Sequence, residues 1–144
     1  MKRMVVGLDG SARERSVLDA ALALADKFGG RLAILRAVAH PVELPPEAFS
    51  VAPAQLAELL RTRAQRALEA ATVHVPRERI EWVEARIGTP WQVLCDGARE
   101  VSADLVVVGT HGYGGLDRLL GTTAARVVNH APCSVIVVRD GGLS

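Results

Sequence analysis

Residues 104–125 read Asp104-Leu-Val-Val-Val-Gly-Thr-His-Gly-Tyr-Gly-Gly-Leu-Asp-Arg-Leu-Leu-Gly-Thr-Thr-Ala-Ala125, and this stretch decides the fold. Leu105 to Val108 is a short unbroken apolar run, the pattern of a strand buried on both faces, and it stops at a glycine. A helical pattern opens at Thr122 or Thr123. Between them lie Gly109, Gly112, Gly114, Gly115 and Gly121, and loops of this composition turn backbone N–H groups inward and let a ligand approach. A helix start adds unpaired N–H groups and a positive dipole end, worth about 0.3–1 kcal/mol to a nearby anion. Strand, glycine-rich loop and helix start predict an anion cradle, although the same glycines also suit plain turns. No G-x-x-x-x-G-K-[ST] phosphate loop occurs, and the only lysines, Lys2 and Lys27, are far away in sequence. Nor does a G-x-G-x-x-G follow the first strand, where Gly7-Leu-Asp-Gly10 is the nearest match.

Working outward, Met4 to Leu8 reads as a central strand, and Asp9-Gly-Ser11 as a turn into a helix with Val17, Leu18, Ala21, Leu22, Ala25 and Phe28 at helical spacing. Gly29 and Gly30 stop that helix, and Leu32 to Val38 is a second strand. Strand–helix–strand order predicts a right-handed crossover in a parallel sheet. Ala39 to Pro53 holds four of the seven prolines and no periodicity, so it reads as a loop, either a lid or a plain connection. From Ala54 to Thr72, an apolar stripe of Leu56, Leu59, Leu60, Ala64, Ala67, Leu68 and Ala71 marks a second helix. Ile80 to Ile87 mixes apolar residues with Glu81, Glu84 and Arg86, which places it at a sheet edge. Thr89 and Pro90 fit the N-cap and first position of a third helix, with Val93, Leu94, Ala98 and Val101 inward. A last helix through Leu119, Leu120, Ala124, Val127 and Val128 ends before Pro132, and Val135 to Val138 is the final strand. Five strands alternating with four helices predict one α/β domain over residues 1–144: a single open parallel sheet with helices on both faces.

Of the 144 residues 49% are apolar but only 3% aromatic, so the core is built from Ala, Val and Leu. A net charge of +1 without a basic run argues against nucleic-acid binding. No stretch approaches the roughly 20 apolar residues of a membrane span. Met4 to Leu8 is too short an apolar segment for a signal peptide. Cys95 and Cys133 sit in apolar patterns without a C-x-x-C pair, as small core residues of a cytoplasmic protein.

The chain resembles the universal stress proteins along essentially its whole length. The resemblance rests on Val5-Val-Gly-Leu-Asp-Gly-Ser11, Val106-Val-Val-Gly-Thr-His-Gly112, Gly115-Leu-Asp-Arg-Leu-Leu-Gly-Thr122 and Asn129-His-Ala-Pro-Cys-Ser-Val-Ile-Val-Val-Arg139. It implies a Rossmann-like sheet with strand order 3-2-1-4-5, a homodimer through Val135–Val138, and a role in stress response. Family members that bind ATP carry G-x-x-G and, further on, G-[ST]. Gly109, Gly112 and Gly121-Thr122 match, but only eight residues separate Gly112 from Gly121, one fewer than the family pattern. Gly114 and Gly115 supply slack for that shortening.

The implied nucleotide set is Gly7, Asp9, Ala37, Val38, Val108, Gly109, Gly112, Gly121, Thr122 and Thr123. Asp9 resembles the acidic adenosine contact, the backbone of Ala37 and Val38 an adenine contact, and the glycines with Thr122 and Thr123 the ribose and phosphate contacts. Asp9 also suits a cap on the first helix, and His111 a bridge between loop backbone groups. Arg118 and Arg126 suit either phosphate neutralisation or solvated helix faces. ATP would bring Mg²⁺, which keeps waters and uses phosphate oxygens as ligands. His40, His74 and His130 lack mutual ligand spacing for a metal site. Ser11, His111 and Cys133 show no readable orienting partner, so binding rather than turnover is expected. The alternatives are a nucleotide-free dimeric interaction protein and a small nucleotide-using enzyme.

Overall fold

The computed structural model describes residues 2–40, 53–110 and 121–139. In chain order these form β1 (Arg3–Gly7), α1 (Glu14–Phe28), β2 (Arg31–Val38), α2 (Pro53–Ala71), a single 3-10 turn (Arg77–Arg79), β3 (Ile80–Ile87), α3 (Pro90–Glu100), β4 (Leu105–Gly109), α4 (Thr122–His130) and β5 (Ser134–Val138). The strands make one sheet in the order β3-β2-β1-β4-β5, with every neighbouring pair parallel. This is the α/β architecture and strand order expected above.

Side-chain alternation along each strand divides the core into two layers. Met4, Val6, Leu32, Ile34, Leu105 and Val107 pack with Leu18 and Ala21 of α1 and Leu68 of α2. Val5, Ala33, Leu35, Val106 and Val108 pack on the other face with Leu94 and Ala98 of α3 and Ala124 and Val127 of α4. Burying a Val or Leu side chain fully is worth about 1.5–3 kcal/mol, so both faces of β1 and β4 hold those strands at the centre. The uninterrupted apolar runs of β1 and β4 have this double burial as their cause.

Helix ends follow local chemistry. Gly29 closes α1 in the left-handed conformation at φ 67°, which costs a glycine little. Pro90 occupies the first turn of α3 behind Thr89, but the Thr89 hydroxyl makes no capping hydrogen bond. Thr89 thus takes the expected N-cap position without the hydrogen bond that usually goes with it. α4 opens at Thr122 behind Gly121 and ends at Ala131, as Pro132 requires.

Some positions of the expected apolar stripes face solvent instead: Phe28, Leu59 and Val128 are 45%, 55% and 48% exposed. Ala67 is exposed as well. A helix resting on a sheet buries a narrower stripe than its full apolar pattern, and Phe28 sits at the helix end. Leu119, Leu120 and nearly all of the proline-bearing loop fall outside the described residues.

The two sheet edges differ. On α2, Gln65 lies against the outer edge of β3: its Nε2 donates to the Val83 carbonyl at 2.8 Å, and its Oε1 accepts the Ala85 N–H at 2.6 Å. β5, at the opposite edge, has no strand on its outer side among the described residues.

Candidate functional site

β1 is the switch point of the sheet, because the chain steps from it to β2 and β3 on one side and to β4 and β5 on the other. Connections diverge there, so a crevice opens beyond the carboxyl ends of β1 and β4. The structure holds a cavity of about 250 Å³ at this place. Gly7, Leu8 and Asp9 form its floor from β1, Leu35, Ala37 and Ala39 one wall from β2, and Val108, Gly109 and Thr110 the facing wall from β4. Arg13 and Val17 of the α1 start, Pro90 and Leu94 of α3, and Thr123 of α4 complete it.

The β1–α1 turn is held by its own side chains. Asp9 Oδ1 accepts the Ser11 N–H at 2.9 Å, Ser11 Oγ accepts the Arg13 N–H at 3.2 Å, and Glu14 Oε1 accepts the Gly10 N–H at 3.2 Å. Asp9 therefore shapes the turn and the cavity floor. It does not cap α1, whose N-cap is Arg13. From that position Arg13 Nη1 donates to the Thr110 carbonyl at 3.2 Å, joining the start of α1 to the end of β4.

Gly109 is needed for a packing reason. A Cβ there would stand 2.9 Å from Val17 Cγ2, so β4 can pass this close to α1 only without a side chain. At α4, Gly121 supplies no side-chain cap. A helix start whose N-cap residue brings no side-chain oxygen of its own suits an anionic ligand.

Six of the ten residues expected at the site line the cavity: Gly7, Asp9, Ala37, Val108, Gly109 and Thr123. Val38 continues β2 beside Ala37, and Gly121 and Thr122 form the start of α4, without lining the cavity themselves. Gly112, with His111 and Arg118, falls outside the described residues. Arg126 does not turn to the cavity; its guanidinium stands 5.7 Å from the Trp91 ring centroid, and His130 stacks on the same ring at 4.7 Å. Missed from sequence were Leu8, Arg13, Val17, Leu35, Ala39, Pro90, Leu94 and Thr110. For Thr110 and Ala39 the signal was available, since each directly follows a strand that ends at the switch point.

Apolar walls from Leu35, Ala37, Leu94 and Val108 suit a flat heterocycle, and Asp9 offers an acceptor for a hydroxyl. Arg13, Thr123 and the α4 amino end supply donors for an anion. That donor set fits a nucleotide, although the cavity alone is smaller than most small-molecule sites. No helix among the described residues is long and apolar enough to cross a membrane.

Fold and cleft together define an α/β protein whose fold is like that of nucleotide-binding proteins. Within that class the chain belongs to the universal stress protein family, whose sequence model matches residues 1–139. The universal stress protein A homolog 1 of Coxiella burnetii is 31% identical over 140 residues, covering 95% of each chain. Universal stress protein UspA from Lactobacillus plantarum superposes with a TM-score of 0.75 at 25% identity, covering 96% of this chain and 97% of that one. A universal stress protein solved in complex with cAMP gives 0.67 at 27% identity, covering 96% of both.

Proposed function

We propose that this chain is a cytoplasmic nucleotide-binding module of stress response, taking ATP with Mg²⁺ into the cleft between the carboxyl ends of β1 and β4. The observation that carries this is the joining, in one cleft, of apolar walls with the first turn of α4, where Thr123 lines the cavity and the N-cap is a glycine. The relative in complex with cAMP supports an adenine nucleotide as the class of ligand. The base would lie against Ala37 and Leu35, Asp9 would accept from the ribose, and Thr122, Thr123 and their N–H groups would meet phosphate. Mg²⁺ would neutralise the phosphates. Binding, rather than turnover, is the proposed event, and it would act on partner interactions.

Calorimetric titration of ATP with Mg²⁺ tests this, in the wild type and in Ala37→Trp, which fills the apolar wall. Micromolar binding lost in a folded Ala37→Trp variant supports the proposal. Absence of heat with the wild type, and of nucleotide in the purified protein, overturns it.

A second proposal is a homodimer through β5, favoured by its outer edge lacking a strand partner among the described residues. It holds with or without nucleotide. In the nucleotide-free case that surface would be the functional one.

A further inference from the structure

We infer that Arg13 is a specificity-determining residue of the cleft, selecting ligands that carry an anionic group beside the end of β4 over the neutral nucleoside. The inference rests on the nucleotide proposal above and adds to it a residue outside the glycine-rich segment.

Local chemistry disfavours an arginine where Arg13 stands. It is the N-cap of α1, with φ −88° and ψ −11°, and makes no side-chain cap. Its backbone is already helical, and its N–H donates to Ser11 Oγ at 3.2 Å, so Ser11 supplies the capping oxygen and the Arg13 side chain is not needed there. Its positive charge faces the positive end of the α1 dipole. Departures from local preference of this kind are expected where a residue serves a site.

The surroundings supply that site. Arg13 and Thr110 both line the cavity, and Arg13 Nη1 donates to the Thr110 carbonyl. Thr110 is itself fixed, its N–H donating to the Val138 carbonyl at 3.1 Å, so the guanidinium is anchored to the sheet scaffold. A cation already ordered by its surroundings loses little freedom on meeting an anion, and the planar guanidinium matches phosphate oxygens. Thr123, in the first turn of α4, lines the same cavity. Arg13 therefore brings positive charge from the α1 side to a cleft that already receives the α4 amino end.

The test compares adenosine, AMP and ATP with Mg²⁺ by calorimetry in wild type, Arg13→Gln and Arg13→Lys, with urea unfolding to establish that each variant is folded. Without the guanidinium to donate a charge-assisted hydrogen bond to phosphate, Arg13→Gln should bind ATP and AMP more weakly by about tenfold or more, with adenosine changed less than about twofold. Arg13→Lys should fall between, and added salt should weaken ATP binding more in wild type than in Arg13→Gln. Equal losses for adenosine and ATP, or no loss for either, overturn the role of Arg13 while leaving nucleotide binding intact. Failure of the wild type to bind adenosine, AMP and ATP alike overturns both proposals together.

Discussion

Gln65 pairs with the backbone of Ala85 as a neighbouring strand would: its Oε1 accepts the Ala85 N–H, while its Nε2 donates to the Val83 carbonyl. One side-chain amide thereby satisfies both polar groups on that part of the β3 outer edge. Gln65→Leu removes these partners, and a loss of about 1–3 kcal/mol is predicted. Urea unfolding should show a lower midpoint with an unchanged slope.

Gly109→Ala places a methyl 2.9 Å from Val17 Cγ2. Valine is stiff at χ1 and cannot swing away cheaply. Overpacking of this kind should cost about 1–3 kcal/mol. Combining it with Val17→Ala should recover part of that loss, so the double-mutant cycle should be non-additive.

Asp104 Oδ2 accepts the N–H groups of Arg3, at 3.1 Å, and Lys2, at 2.8 Å, and these bonds hold its carboxyl below the usual carboxylate range. A depressed folded-state pKa contributes stability above the unfolded value of about 4 and loses it as pH falls through the folded value. The stability advantage of wild type over Asp104→Asn should accordingly be full at neutral pH and shrink below about pH 4. Thermal melts of both proteins across that range check the sign.

Burial pushes the thiols of Cys95 and Cys133 above the ordinary range, and they form no disulfide. Both should stay protonated at neutral pH and react slowly with iodoacetamide in the folded protein. Mass spectrometry before and after adding denaturant should show the modification rising sharply on unfolding.

Pairing through β5 predicts a species of twice 15.3 kDa in sedimentation at micromolar concentration. A monomer throughout that range would count against the homodimer.

The strands were legible because β1, β2 and β4 lie inside the sheet, where burial on both faces writes itself as continuous apolar runs. β3 was placed at an edge because its charges interrupt that run. The strand order came from family resemblance, since no periodicity states which strands are neighbours. Arg13, Val17 and Leu94 were not found because they reach the cleft through the docking of α1 and α3 on the sheet, a non-local outcome. Gln65 was equally hidden: on a helix with one polar face, a glutamine that binds a strand looks like one that binds water. Phe28 and Leu59 misled for the converse reason, since spacing gives the direction of a buried stripe but not its width.

The asymmetry of the sheet's two margins limits what it can build. At the β3 edge Gln65 already holds the Val83 carbonyl and the Ala85 N–H, so an added strand would have to displace it there, whereas β5 has no strand on its outer side among the described residues. Such asymmetry favours doubling about a two-fold axis at β5 over edge-to-edge growth through both margins. A single glutamine on α2 thus bears on how many chains an assembly can hold.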